Sequence, residues 1–534
     1  MRPVRPSAPV RSGGAARAAA PHRPTAPPTE APVSDPRVPD PDGVWLGLDL
    51  GAGHARCAAV DGTGRLLATA VRPLTGRRTG KRHEQDPEQW WTALSAACRE
   101  ALAGLDPRRI RGLALAATSG TILLADADGT PLTPGLMYDD GRAAEQAAAV
   151  DEAGGALWRQ LGYGTMPATW ALPRLRWLLD QPPGREAVAA KGVRLLHQAD
   201  LITWRLAGHQ VASDSSHALK TGYHLIEERW PDEVLDRLDV PEDLLPDVVR
   251  PGTVLGTVCA AAAGATGIPE GTALIAGMTD GCAAQIGAGA LAPGAWHLLL
   301  GTTFAVKGSS PHLVRDPAGV VHCHRAPGGN WLPGGASGSG AGVISPYFHG
   351  ANLDALTERA AALDPDAIVY PLVSTDGESF PFRAPDAEPF LLGEVPHRAA
   401  EFHAYLLGAV CLERLSFDYL DLLGAPVDGP LTATGEGTRN PYWCRLRADV
   451  LGRSVHLPER SGSALGMAVL AATSAGTGLD EAAAAMVRPG EEIRPRAART
   501  ARYLPAYLRF IDELTRRGWL AEAVADHARE RAGR

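Results

Sequence analysis

From Val44 onward, apolar runs alternate with glycine and polar breaks. VWLGLDLG (Val44 to Gly51), ARCAAVD (Ala55 to Asp61), a Gly62-Thr63-Gly64 turn and LLATAVRP (Leu66 to Pro73) read as three short strands of a meander. Within Asp86 to Leu105, Trp90, Leu94, Ala97, Cys98 and Ala101 recur at helical spacing, and the apolar run Gly112 to Ala117 reads as a further strand. The theme returns in the second half: Trp296 to Leu300 reads as a strand, Gly301-Thr302-Thr303 as a turn, and FAVKG, VVHCH and NWLPGG as the strands that follow.

A repeated meander suggests two domains, each a mixed sheet flanked by helices, with a ligand held between them. The expectation is an α/β, two-domain actin-like ATPase (ribonuclease H-like) fold with its active site in the interdomain cleft. The expected division is a tail over 1–43, a first domain over 44–291, a second over 292–505 and a closing helical segment over 506–534. At 534 residues the chain is long enough for two cores. The first 43 residues, rich in Arg, Pro and Ala and without an apolar stretch, are expected to be disordered.

Composition narrows the function. Apolar residues make up 45% of the chain and charged residues 21%, the balance of a globular protein, and the net charge of -8 gives no basic excess for nucleic acid. No apolar run reaches the length of about 18 residues that a membrane span needs. The seven cysteines are scattered and never spaced as CxxC, so they are expected to be reduced, mostly buried and cytoplasmic. His322-Cys323-His324 is the one tight cluster of metal-capable side chains, and the two histidines are expected to face opposite ways along a strand and not to converge on a metal.

Four segments carry candidate phosphoryl-transfer chemistry, which needs backbone donors for a triphosphate, a carboxylate and a base. Asp49 ends a strand, with Gly51 and Gly53 in the turn after it; the alternative is an ordinary Asp-Gly hairpin. Gly301-Thr302-Thr303 is a matching hairpin, and two such turns facing across a cleft grip phosphate from both sides. The cluster from Thr434 to Trp443 has glycines that admit a flat purine, or is simply a strand-to-helix loop opened by Asn440-Pro441. Asp280, in LIAGMTDGCAAQIGAG, stands where an apolar strand meets a small-residue helix. It is either a base for a sugar hydroxyl or an N-cap for a helix over Cys282 to Gly287.

HEQDPEQWW at His83, YDDGR at Tyr138, GMTDG around Asp280, GTT at Gly301, TGEGTRNPYWCRLRADVLGRSV at Thr434 and SALGMAVLAA near Leu465 occur in an order and spacing that resemble the FGGY carbohydrate kinases, over nearly all of the chain after the tail. LLHQADLITWRLAG, SDSSHALKTGY and WLPGGAS look most like the D-ribulose kinase group, related to the xylulokinases. The resemblance implies Asp280 as catalytic base and Asp49 as the carboxylate that orients Mg²⁺, through water, and the γ-phosphate of ATP. It implies a sugar pocket of Thr118, Ser119, Thr121, Asp140 and Asp280, with a local Asp140-Arg142 ion pair as the alternative for Asp140. Nucleotide contacts fall on Asp49, Gly51, Gly53, Gly301, Thr302, Thr303, Gly335, Gly435, Glu436, Gly437 and Asn440. Family members usually read D-x-G-T-S-G after the first strand, whereas this chain has Ala52, Gly53 and His54 and so lacks two hydroxyl donors.

The activity expected is ATP-dependent phosphorylation of a ketopentose, D-ribulose first, with D-xylulose or another ketose or polyol as alternative. The altered turn keeps open a catalytically silent sugar- or nucleotide-binding protein. The expected partner is a small sugar, with no nucleic acid or membrane, and the protein is expected to be a monomer or homodimer.

Overall fold

A computed structural model describes residues 38–182, 184–186, 192–363, 366–374 and 376–533. The disorder expected of the first 43 residues falls, through residue 37, outside the described residues.

Two large sheets share one plan. The first runs in the order β5-β6-β4-β1-β2-β3, where β1 is Val44–Leu50, β2 His54–Asp61, β3 Leu66–Pro73, β4 Ile110–Ala117, β5 Val254–Thr257 and β6 Ala273–Thr279. β1 pairs antiparallel with β2 and parallel with β4, and β4 pairs parallel with β6. The second runs β9-β10-β8-β7-β11-β12-β13, where β7 is Trp296–Leu300, β8 Phe304–Gly308, β9 His322–Arg325, β10 Trp331–Ser337, β11 Leu431–Thr434, β12 Val455–Leu457 and β13 Glu491–Ile493. Here β7 pairs antiparallel with β8 and parallel with β11, repeating the arrangement around β1.

Every residue of β1 is buried, as expected of a strand in a sheet covered on both faces. Leu46, Leu48 and Leu50 face Trp90, Leu94 and Cys98 of helix α1 (Pro87–Leu102). That helix is shorter than the Asp86-to-Leu105 reading: Asp86 is its N-cap, accepting from the Glu88 amide at 2.9 Å, and Pro87 fills the first turn. Helix α2 (Asp280–Gly287) follows β6, and α3 (Arg398–Leu422) runs almost wholly buried beside α4 (Pro441–Leu451). Trp45, on the opposite face of β1, packs with α5 (Ser463–Ala472), although α5 lies between β12 and β13 of the second sheet in sequence. The approach requires Gly47, because a Cβ there would lie 1.6 Å from the Ala464 carbonyl oxygen. α6 (Ala497–Arg516) and α7 (Glu522–Ala532) complete the chain.

His322 and His324 do not face opposite ways. Strand side chains repeat every second residue, so both rings project from one face of β9 with centroids 5.3 Å apart. The seven cysteines are free, and all but Cys259 are buried. No described helix is long and apolar enough to cross a membrane.

Candidate active site

The carboxyl ends of the parallel strands β1, β4 and β6 form one edge, the side on which open α/β sheets place ligands. Asp49 registers with Ala116 of β4, and Ala116 with Met278 of β6, so Asp49 stands level with the end of β6 at a distance of about two strand spacings, roughly 10 Å. Asp280 comes two residues later as the first residue of α2. The cap of that helix is Thr279, so Asp280 is not the N-cap. Its Oδ1 accepts from the Gly281 amide at 2.7 Å, and its carbonyl accepts from Ser463 Oγ at 3.2 Å, tying it to α5. Burial pushes the Asp280 carboxyl above the ordinary range and the charge of Asp49 adds to this, while the Gly281 amide, Lys220 and His217 act against it.

The turn after Asp49 is closed by the Gly51 amide donating to the His54 carbonyl at 3.0 Å. Gln85 Nε2 donates to the Ala52 carbonyl at 2.6 Å, and the Leu74 amide to the Gly53 carbonyl at 2.9 Å, so the turn is braced from outside. A Cβ on Gly53 would meet nothing within 4 Å, which leaves open space over the turn. His54 Nε2 lies 3.5 Å from Asp49 Oδ2. Arg56 faces Asp49 across the β1–β2 pair, and its Nε is buried without a hydrogen-bond partner among the described residues. The sequence reading passed over Arg56; its signal was a lone arginine in an otherwise small and apolar strand.

The residues expected to bind sugar divide. Thr118 Oγ1 donates to Gln198 Oε1 at 2.6 Å and also lies 2.6 Å from Thr121 Oγ1, so these two hydroxyls are engaged with each other and with Gln198. Ser119 Oγ and Gln198 Nε2 are buried without partners among the described residues, which leaves them for a ligand. Asp140 corrects the expectation of a free pocket carboxylate. Fully buried, it is held by Arg142 through Nε at 2.8 Å and Nη2 at 2.6 Å and by the His83 amide at 2.7 Å. Arg142 also binds Glu84 at 2.7 Å and stacks on Trp177. The local ion pair was the sounder alternative, although it is a buried bidentate one rather than a weak surface pair.

Two lysines also border Asp280. Lys220, from SDSSHALKTGY, donates to the Ser119 carbonyl at 3.2 Å and lies 5.9 Å from the Trp170 ring. Burial, with Arg174 nearby, pulls its ammonium down to about 8, while Asp280 opposes the shift. Lys307, on β8 in the second half, reaches across so that its Cε would lie 3.1 Å from a Cβ on Gly281, and its Nζ donates to His324 Nδ1 at 3.1 Å. A buried pair, Asp214 with His217 at 2.5 Å, stands behind Asp280, and the neighbouring Ser216 Oγ accepts from the Thr279 amide at 2.9 Å.

Among the residues expected to border nucleotide, a cleft of ≈ 770 Å³ brings together Thr302, Glu436, Gly437 and Asn440, beside Gly342 and Phe348. The Ala341 and Gly342 amides donate to the Gly301 and Thr302 carbonyls at 2.8 and 3.0 Å, and Thr302 and Thr303 stay exposed. Gly435, at φ 97, lies so close to β7 that a Cβ would be 2.7 Å from the Leu300 carbonyl oxygen. Asn440 caps α4, accepting from the Trp443 amide at 3.1 Å, and donates to Thr357 Oγ1 at 2.9 Å; its amide is engaged by the protein, and its place at the cleft comes from the cap. Gly335 is a correction: it sits within β10 opposite Val306 with the Phe380 ring pressed on it, where a Cβ would lie 2.3 Å from Phe380 Cδ2. Its missing side chain serves this packing, and it is not among the residues that line the cleft.

Known proteins share this plan. The N-terminal domain model of the FGGY family of carbohydrate kinases matches residues 44–287, and the C-terminal domain model matches residues 289–475. A xylulose kinase of Streptomyces coelicolor is 32% identical over 460 residues, covering 82% of this chain and 89% of its own. A xylulose kinase of Klebsiella pneumoniae is 28% identical, covering 86% and 96%. The crystal structure of xylulose kinase from Rhodospirillum rubrum superposes with a TM-score of 0.78 at 25% identity, over 88% of this chain and 98% of that one. With both domain models matched in sequence order and the two-sheet plan of these structures reproduced, the chain belongs to the FGGY family of carbohydrate kinases and is an ATP-dependent sugar kinase.

Proposed function

We propose that the protein transfers the γ-phosphoryl group of ATP to a hydroxyl of a ketopentose, with Asp280 as the base. The observation that carries this reading is the position of Asp280 at the carboxyl edge of the first sheet, with its carboxyl held above the ordinary range by burial and flanked by ammonium groups. Asp280 takes the acceptor proton as the sugar oxygen attacks the γ-phosphorus, and the bond between the γ-phosphorus and the β–γ bridging oxygen breaks to release ADP. Ser119 and Gln198 bind the sugar, the engaged Thr118 and Thr121 hydroxyls orient Gln198, and Asp140 positions the YDDGR loop through Arg142. Residues 44–291, with α5 packed on their sheet, form the sugar domain and the chain from 292 the nucleotide domain, closed by α6 and α7, so the closing segment begins at Ala497 and not at 506. Gly301, Thr302, Thr303, Gly435, Glu436, Gly437 and Asn440 border the nucleotide.

Asp49 has carboxylate oxygens suited to Mg²⁺, His54 Nε2 lies 3.5 Å from Oδ2, and the turn beside it is open, so these residues fit a hydrated ion. Mg²⁺ bound there would neutralise phosphate charge, and Asp49 would hold it through water. Asp49 and Arg56 flank the phosphate turn from adjacent strands.

D-xylulose ranks first as acceptor, because the relatives described above are xylulose kinases. D-ribulose stands second on the strength of SDSSHALKTGY and WLPGGAS. An ATP-consuming kinase with free cysteines suits the cytoplasm. A coupled assay of ADP release over D-xylulose, D-ribulose, glycerol and gluconate tests the reading. ADP formation that depends on a ketopentose supports it, and a rate stimulated only by glycerol or gluconate overturns it.

A further inference from the structure

Lys220 and His324 approach the sugar side of Asp280 from the two halves of the chain, linked through the rings of Trp170 and His322. Lys220 lies 5.9 Å from the Trp170 ring, Trp170 packs edge-on against His322 with centroids 5.8 Å apart, and His322 lies 5.3 Å from His324. Lys307 closes the chain through its bond to His324 Nδ1.

Donor and acceptor counting then fixes the chemistry. An ammonium has hydrogens and no lone pair, so His324 Nδ1 must be the acceptor in its bond to Lys307, and the His324 proton sits on Nε2. Burial and the nearby Lys307 hold this imidazole neutral, well below the usual histidine range. Its Nε2–H is buried and has no partner among the described residues. Lys220 directs one of its three hydrogens at the Ser119 carbonyl and keeps the others. Neither group can accept a hydrogen bond.

We propose that Lys220 and the Lys307-supported His324 form a donor-only wall that selects acceptor sugars by their keto group, favouring a ketose over the alditol of the same configuration. The inference rests on the ketopentose reading and deepens it. A carbonyl oxygen only accepts and is satisfied by such a wall, whereas the hydroxyl that replaces it in an alditol carries a proton that neither Lys220 nor His324 can receive. A carboxylate would also accept, but it would bring a further negative charge beside Asp280, whose carboxyl the charge of Asp49 already raises. Ser119 Oγ both donates and accepts, and so suits a neighbouring hydroxyl.

The test is calorimetry on the full chain without nucleotide, titrating D-xylulose, xylitol and D-xylonate, beside kcat/KM for phosphorylation of each. D-xylulose should bind at least about tenfold more tightly than xylitol, with D-xylonate weaker than D-xylulose. Lys220→Met should bring xylulose and xylitol to within about threefold, His324→Phe should move the ratio the same way, and Lys220→Arg, which keeps donors, should preserve it. Equal binding of xylulose and xylitol by the wild type, a ratio unmoved in both deletion variants, or tightest binding of xylonate overturns the proposal. Selective binding of the ketose with no transfer to it would sink the ketopentose kinase reading and leave this inference standing; transfer to ketose and alditol alike would do the reverse.

Discussion

Gly466 of α5 lies so close to Ala283 of α2 that a Cβ on Gly466 would fall 1.8 Å from the Ala283 carbonyl oxygen. Gly287 repeats the contact from the other helix, where a Cβ would lie 2.3 Å from the Gly462 carbonyl oxygen. The helix that presents Asp280 is therefore set by backbone packing against a helix from the far end of the sequence.

Gly466→Ala should force these helices apart, lower stability by about 1 to 3 kcal/mol as an overpacked core does, and reduce kcat by shifting Asp280. Thermal unfolding together with turnover checks this; a variant of unchanged melting temperature and kcat would contradict it.

Gly53→Ser returns one hydroxyl donor to the turn after Asp49, in a position where a side chain meets nothing within 4 Å. The variant should fold as the wild type does, and kcat should rise several-fold, since one added transition-state hydrogen bond of about 1 kcal/mol is worth roughly fivefold. Steady-state kinetics at saturating ATP reads the change.

Arg447 and Glu413 form a buried pair through Nε at 2.6 Å and Nη2 at 2.9 Å, joining α4 to α3 behind the nucleotide cleft. Removing one partner leaves a buried charge unanswered, so Glu413→Leu should cost about 3 to 5 kcal/mol in urea unfolding. KM for the sugar should stay near wild type in the folded fraction.

Asp280 must be ionised to accept a proton, and its folded pKa is raised. Activity should therefore fall, as pH is lowered, at a higher pH than an ordinary aspartate would give. Lys220 is protonated below about 8, so preference for a ketose should weaken as pH rises through that value. The pH profile of kcat/KM for D-xylulose and xylitol tests both limbs.

Strands and glycine turns were legible because short apolar runs bounded by glycine are local properties: β1, β2, β3 and β7 stand where the pattern placed them. Asp49 and Asp280 were legible as acidic residues at the ends of apolar strands. Lys220, Lys307 and Arg56 were not, because their convergence depends on three separate segments meeting in space, which no window of sequence displays. Asp140 and Asn440 were identified as polar residues near the site, but their hydrogen bonds turn them toward the protein, and Gly335 answers to Phe380, which lies 45 positions away.

The most direct test compares ketopentose-dependent ADP formation by the wild type and Asp280→Asn under saturating ATP and Mg²⁺. The arrangement around Asp280 predicts that the wild type responds to D-xylulose and that the variant, while still binding the sugar, loses about 10²- to 10⁴-fold in kcat. An asparagine variant that turns over at the wild-type rate would show that another group takes the proton.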